Sequence, residues 1–291
     1  MKIRNWIFRN PPLFLLLPGA LLLASFLVIP VGWMIRVSFY QNLPGSYMKA
    51  AWILDSYKKF LGDLWYLRNV LYFSFKIAAF TTFLTILLAY PPSLYIARRR
   101  GRKKQVLLTM TLSPLLIGMV CLIFGWIVIF RGQGLLNQVA LWAGLISEPV
   151  KYLYSLKGII ICLVYISIPF AILNLLDSLG RLDPSLEEAA MNVGANRWQS
   201  FRHITFPLST PGMFAGSLVV FALNFSAFAV PLMLGGERFP MMGLVIYIQS
   251  MELNNIPFAA AISMILLVSS MIILFLYSKA IHRLFFRRMG L

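Results

Sequence analysis

The sequence is short of charged residues, and acidic residues are the scarcest. Only 12% of its 291 residues are charged and 60% are hydrophobic, whereas soluble domains average about 25% charged residues. A soluble enzyme or a disordered chain would need more polar surface than this sequence can supply. Two cysteines do not support a disulfide-stapled scaffold either. The composition therefore indicates a polytopic membrane protein.

The sequence also lacks the common catalytic and metal-binding motifs. It contains no Gly-x4-Gly-Lys-Ser/Thr phosphate loop, no His-Glu-x-x-His zinc motif and no Gly-x-Ser-x-Gly nucleophile elbow. We therefore predict that the chain is not an enzyme and that it has neither catalytic residues nor a metal site.

Six stretches of the chain are long and apolar enough to cross a membrane. A helix needs about 20 such residues to cross roughly 30 Å of hydrocarbon. We therefore predict an all-α membrane protein whose residues 1–291 form a single domain with six transmembrane helices. The predicted spans cover about residues 11–35, 69–97, 105–130, 157–177, 212–234 and 257–279.

The charge of the chain is uneven along the sequence. Lys and Arg number 26 against 9 Asp and Glu, which gives a formal net charge of +17. Most of the basic residues fall in the N-terminal segment, the cluster Arg98–Lys104, the loop 178–211 and the C-terminal tail. Because short cytoplasmic loops accumulate Lys and Arg, we predict that both termini are cytoplasmic. We interpret the Arg98–Lys104 cluster as a contact with anionic lipid head groups rather than with nucleic acid.

The loop of about residues 178–211 has an internal pattern that the other loops lack. Asp183 is a good N-cap and Pro184 suits the first helical position. Gly194 can adopt the left-handed conformation that ends a helix. A second short helix follows, and its apolar stripe comprises Trp198, Phe201 and Ile204 or Thr205. Pro207 would separate this helix from the next span. Such a helical pair could dock on a partner protein or lie on the membrane.

The same loop carries a motif with fixed spacings. Glu188-Ala189-Ala190 is followed after three residues by Gly194, after nine more by Ile204, and then by Phe206-Pro207. This pattern resembles the EAA signature, Glu-Ala-Ala-x3-Gly-x9-Ile-x-Leu-Pro, of permease subunits in binding-protein-dependent ABC importers. Phe206 replaces the Leu, which keeps that position apolar. The segments that resemble the spermidine/putrescine permease group are less specific: the proline-rich first apolar run and residues 131–137, 229–236 and 257–261.

The resemblance implies a MetI-like permease fold, multi-pass in a bacterial inner membrane. It implies a second, homologous permease subunit in a heterodimer, two ATP-binding subunits and an extracytoplasmic solute-binding protein as partners. ATP and Mg²⁺ would be bound by the ATPase, because this chain has no phosphate loop of its own. In this family the EAA loop forms the coupling helices that contact the ATPase. The residues implied in that coupling are Glu187, Glu188, Ala189, Ala190, Gly194, Trp198, Phe201, Ile204 and Pro207.

The implied activity is ATP-driven import of a small solute, and the resemblance favours a polyamine such as spermidine or putrescine. An opine, aminoethylphosphonate or an amino-acid-like compound is the alternative solute. An ATP-independent secondary transporter or channel and a membrane scaffold are the alternative classes. The predicted pathway residues are Asn224, Ser226, Phe228, Tyr165 and Trp126. Hydrogen bonding between helices is the alternative role of Asn224, and simple packing is that of the aromatic rings.

Overall fold

The computed structural model describes residues 11–43 and 47–281, and within them the chain is almost entirely helical. One antiparallel hairpin is formed by β1 (Gln41–Leu43) and β2 (Tyr47–Lys49). The α-helices are α1 (Pro11–Val37), α2 (Asp55–Gly62), α3 (Phe73–Ala97), α4 (Gly101–Leu112), α5 (Met119–Phe130), α6 (Leu135–Trp142), α7 (Leu156–Gly180), α8 (Pro184–Asn192), α9 (Arg197–Ser200), α10 (Phe206–Phe225), α11 (Met242–Tyr247) and α12 (Ile256–Ile281). Shorter turns are π-helical at Tyr66–Tyr72, Phe201–Thr205, Pro231–Gly235 and Ile248–Glu252, and 3₁₀ at Ser113–Leu116 and Gly236–Arg238.

Five described helical segments are long and apolar enough to cross a membrane. They are Tyr66–Ala97, Met119–Trp142, Leu156–Gly180, Arg197–Phe225 and Ile256–Lys279. Within α1, a shorter apolar helix covers Leu21–Val37. The all-helical membrane architecture predicted from the sequence is thus confirmed, and α1, α3, α7 and α12 lie at four of the predicted spans.

The described chain forms two compact units. The first comprises the described residues up to Asp63 together with Ile246–Leu267. The second comprises Leu64–Val245 together with the described residues from Val268 onwards. All the predicted coupling and pathway residues belong to the second unit.

Helices α3, α7 and α10 form the central bundle of the second unit. α10 approaches α7 so closely that a Cβ added at Gly212 would lie 2.4 Å from the Cβ of Ser178. α3 buries Thr81, Thr85 and Ser93, and their hydroxyls donate to carbonyls of the same helix. Small residues thus permit close packing, and polar groups are satisfied inside the helix, as a hydrocarbon environment requires.

The helix predicted over residues 105–130 is interrupted in the structure. α4 and α5 are separated by the 3₁₀ turn Ser113–Leu116 and by Ile117, whose backbone is extended with φ −89° and ψ 131°. Pro114 accounts for the interruption, because it has no backbone N–H to donate and its ring opposes the continuation of an α-helix. The segment is apolar on both sides of the break, so hydropathy alone predicts one continuous span.

The fifth predicted span, residues 212–234, begins and ends earlier in the structure. α10 starts at Phe206 and follows α9 without a gap through a π-turn, so Pro207 does not separate the loop from the span as expected. In that wide turn the N–H of Phe206 donates to the carbonyl of Phe201, and Pro207 is tolerated in the first turn of α10. At its other end α10 stops at Phe225.

Candidate functional site

The EAA loop begins with α8, which is capped as the sequence predicts. The Asp183 carboxylate accepts a 2.9 Å hydrogen bond from the backbone N–H of Ser185, and Pro184 lies in the first turn. This hydrogen bond favours the ionised carboxylate, so it lowers the pKa of Asp183. The cap fixes where α8 starts.

A glycine turn joins α8 to α9. Gly194 has φ +92°, a conformation that residues with a Cβ rarely adopt, and the N–H of Ala195 donates to the carbonyl of Ala190 at 3.0 Å. Asn196 and Gln199 then exchange two side-chain-to-backbone hydrogen bonds of 2.8 Å, which form a capping box. This box is not among the sequence predictions, although the Asn-x-x-Gln spacing is its signal. Local bonds therefore set the angle between the two helices.

One face of this helical pair is apolar and exposed. None of the nine residues of α8 is buried, and Val193 and Trp198 are exposed by 86% and 66%. We define the docking face as Leu186, Ala189, Val193 and Trp198, all of which are exposed. Glu188 is exposed beside this face and Ala190 is half-buried. An exposed apolar patch is typical of a surface that binds another protein.

Glu187 does not belong to the docking face but connects three segments of the chain. Its two carboxylate oxygens each lie 2.9 Å from Nη2 of Arg98, at the end of α3. The Thr205 hydroxyl, in the π-turn before α10, also donates to this carboxylate. Thr205 is buried, and the Glu187 side chain is only 28% exposed. This cluster, which we call the Glu187 latch, ties α8 to the ends of two apolar helices.

Aromatic rings provide a second connection between the loop and the bundle. Trp198 stacks on Phe201 with ring centroids 5.4 Å apart, and Phe201 lies 6.0 Å from the ring of Tyr90 in α3. The Tyr90 hydroxyl is 2.8 Å from Oγ of Ser209 in α10. Tyr90 is absent from the sequence predictions, because its role depends on a contact across the fold. The two remaining predicted coupling residues, Ile204 and Pro207, are half-buried.

The predicted pathway residues fall into two groups that meet α7. Trp126 and Tyr165 form an edge-to-face pair with centroids 5.1 Å apart. Two residues further along α7, the Ser167 hydroxyl donates to Oδ1 of Asn224 at 3.1 Å. Asn224 is buried, and its Nδ2 has no hydrogen-bond partner in the described part of the chain. A buried amide donor without a partner is unusual and indicates an available binding group.

The backbone next to Asn224 is not a regular helix. α10 ends at Phe225, and the following residues 226–228 form a turn and a segment without regular secondary structure before helical structure resumes. Ser226 and Phe228 lie in this break and are both exposed, and the Ser226 hydroxyl donates to the carbonyl of Ala222. Both residues lie within the fifth predicted span, residues 212–234, so the break corrects the expectation of one helix there.

Comparison with known proteins identifies the family. Residues 65–291 match the family described as "Binding-protein-dependent transport system inner membrane component". The chain belongs to this family. The permease is 31% identical to the spermidine/putrescine transport system permease protein PotB of Escherichia coli K12, over 87% of this chain and 96% of that protein. It is 29% identical to PotB of Haemophilus influenzae, over 89% and 90% of the two chains.

A solved structure shows the same fold. The permease superposes on a chain of a bacterial ABC transporter involved in the import of alginate with a TM-score of 0.74 and 19% identity, covering 98% of this chain and 99% of that one. The permease fold expected from the EAA signature is therefore confirmed in its all-helical architecture. Family membership also confirms that the chain is an inner-membrane importer subunit and not an enzyme. The ATP-independent transporter and scaffold alternatives are not supported.

Proposed function

We propose that this permease has six transmembrane helices with both termini in the cytoplasm, and that the docking face binds a separate ATP-binding subunit. The complete importer would contain a second, homologous permease, two ATP-binding subunits that hold ATP and Mg²⁺, and a solute-binding protein outside the membrane. The 27-residue helix α1 would be the first span. The EAA resemblance and the basic residues that flank the spans support this arrangement.

The two-sided character of α8 is the observation that carries the coupling proposal. Its exposed side presents small and apolar residues to a partner, while Glu187 on another side is bonded to Arg98 and Thr205. A movement of the docked ATPase would therefore pass through the Glu187 latch to α3 and α10. Because packed helices move as nearly rigid bodies, this route would convert ATP-driven closure into a rearrangement of the bundle.

We propose that the transported solute is a polyamine. Two relatives named as spermidine/putrescine permeases support this choice over most of the chain, whereas the sulfate permease CysT of Escherichia coli matches only 43% of it. The faces of Trp126 and Tyr165 could attract an ammonium group. The amide of Asn224, next to the helix break, could add a hydrogen bond to the solute and so take part directly in solute binding.

Reconstitution tests the proposed function. The permease is co-expressed with its genomic neighbours, purified with the subunits that co-elute, and placed in proteoliposomes together with the solute-binding protein. We expect uptake of labelled spermidine only with ATP inside the vesicles, and competition by putrescine but not by aminoethylphosphonate or an opine. Uptake without ATP would contradict the coupling proposal. ATP-driven uptake that polyamines do not inhibit would contradict only the choice of solute.

A further inference from the structure

A deep cleft lies where the EAA loop meets the ends of the central helices. Its volume is about 920 Å³, within the range of small-molecule binding sites. The end of α3, the start of α4, the end of α7 and the helices α8 and α9 all contribute to its lining. Because α3 and α7 are apolar helices of membrane-spanning length, this cleft lies at the end of the hydrocarbon-embedded part of the bundle.

The lining of the cleft carries an excess of positive charge. Its charged residues are the cations Arg98, Arg99, Arg100, Lys104 and Arg197 and the carboxylates Asp183 and Glu187. Both carboxylates are engaged, since Asp183 caps α8 and Glu187 is paired with Arg98. The Arg99 guanidinium lies 4.3 Å from the centroid of the Tyr95 ring.

Apart from Arg98, which is paired with Glu187, and Arg99, which lies on the Tyr95 ring, the cleft has three further cations. Arg100, Lys104 and Arg197 form no ion pair within residues 11–43 and 47–281. They come from two separate parts of the sequence, so the fold assembles them at one site. Like charges repel unless an anion lies between them, and the cleft therefore has the electrostatic character of an anion site.

A buried hydroxyl adds a directional donor to the same cleft. Ser200 lines the cleft and is only 5% exposed. Its Oγ has no hydrogen-bond partner in the described part of the chain. Buried polar atoms are nearly always paired, so this hydroxyl is available to a ligand that the cleft would hold. An oxygen-rich anion beside the three cations would satisfy it.

We propose that this cleft binds the phosphate head group of an anionic phospholipid. Arg100, Lys104 and Arg197 would neutralise the phosphate, and Ser200 would donate a hydrogen bond to it. A soluble phosphate ester has the same chemistry, but the cleft also has an apolar wall comprising Leu94, Ala97, Leu179, Leu182 and Met191. This wall and the adjoining spans suit a ligand that is anchored in the bilayer, and basic pockets between cytoplasmic helix ends are known lipid sites.

The test measures lipid binding by the full chain together with the subunits that co-purify. The variant Lys104→Gln/Arg197→Gln removes two cations of the cleft. Its matched control, Arg102→Gln/Lys103→Gln, removes the same amount of charge from residues next to Lys104, but these residues line another groove beside Val106. Native mass spectrometry measures retained phosphatidylglycerol, and nanodiscs of graded phosphatidylglycerol content give the affinity.

We expect the cleft variant to bind phosphatidylglycerol about fivefold more weakly for each lost cation, and the control to change little. Ser200→Ala should give a smaller loss, and Lys104→Arg/Arg197→Lys should retain binding. An equal loss of lipid affinity in both double variants would overturn the site, because it would show that the lipid is held only by general attraction to the positive charge of the chain. Displacement of the lipid by glycerol phosphate at equal concentration would overturn the lipid assignment. These readouts do not depend on the proposed importer function, and ATP-driven uptake measures that function separately.

Discussion

The helix caps of the EAA loop and the helix break beside Asn224 satisfy polar side chains in different ways. In the loop, Asp183 bonds to Ser185 and Asn196 to Gln199, so the partners are close in sequence. At the break, the partner of Asn224 is Ser167 on another helix, and its amide Nδ2 has no partner among residues 11–43 and 47–281. Local bonding gives a surface of fixed shape, whereas long-range bonding with a spare donor gives a position that can accept a ligand.

Replacing Gly194 tests the fixed shape of the loop and should have the largest effect. Gly194→Asp puts a Cβ at φ +92°, which costs about 1–2 kcal/mol in a left-handed conformation and turns α9 away from α8. We expect ATP-driven uptake to fall about tenfold, while ATP hydrolysis continues. Gly144→Asp is the control, because Gly144 also has positive φ, at +68°, but lies outside the loop. Similar losses in both variants would indicate a general folding defect.

Replacing Asn224 tests whether the spare amide donor binds the solute. Asn224→Leu keeps a buried side chain of similar size but removes the donor, at a cost of about 1 kcal/mol for one hydrogen bond. We expect the half-saturating solute concentration to rise about fivefold, with the ATPase rate per complex unchanged. Ser167→Ala removes only the structural bond to Asn224 and should preserve uptake. If Ser167→Ala weakened uptake more than Asn224→Leu, Asn224 would have a role in helix packing alone.

Breaking the Glu187 latch tests how the loop is fixed to the bundle. Because both partners are partly exposed, the ion pair with Arg98 should contribute at most about 1 kcal/mol to stability. A double-mutant cycle of Glu187→Gln and Arg98→Gln, measured by chemical unfolding in detergent, should reveal this coupling energy. Glu188→Gln removes the same charge from the exposed neighbour. A coupling energy of zero would show that the latch does not stabilise the loop.

The smallest effect concerns the cap of α8 and its dependence on pH. The pKa of Asp183 is lowered by its hydrogen bond to the Ser185 N–H, so the cap stabilises α8 above the ordinary pKa of Asp. This contribution is lost as the pH falls through the lowered value. The protection of the first turn of α8 against hydrogen exchange, measured relative to the intrinsic exchange rate at each pH, should therefore fall in acid. Asp183→Asn should keep the cap and lose this pH dependence. The same pH dependence in the variant and the original chain would contradict the assignment of the effect to Asp183.

Features with local causes could be predicted from the sequence. The cap at Asp183 and the left-handed turn at Gly194 depend on neighbouring residues, and both are present. The apolar runs likewise predicted an all-helical membrane protein. The breaks near Pro114 and after Phe225 were missed, because apolar composition does not distinguish a continuous helix from an interrupted one.

Contacts across the fold could not be predicted in this way. Nothing in the sequence indicated that Glu187 bonds to Arg98, 89 residues away, and to Thr205 at the other end of the loop. The same holds for Tyr90 and for the assembly of Arg197 with Lys104. Residue type and spacing identify which side chains can take part in a site, but only packing decides which of them meet.

The uninterrupted helical path from α9 to Phe225 joins part of the EAA loop to the fifth predicted span. The segment Arg197–Phe225 has 29 residues, which corresponds to a length of about 43 Å. A tilt of about 5° at the Trp198 end would displace the far end by about 4 Å, roughly the width of a methylene chain. Asn224 lies at that far end. A small rotation imposed on the docking face would thus be enough to displace Asn224.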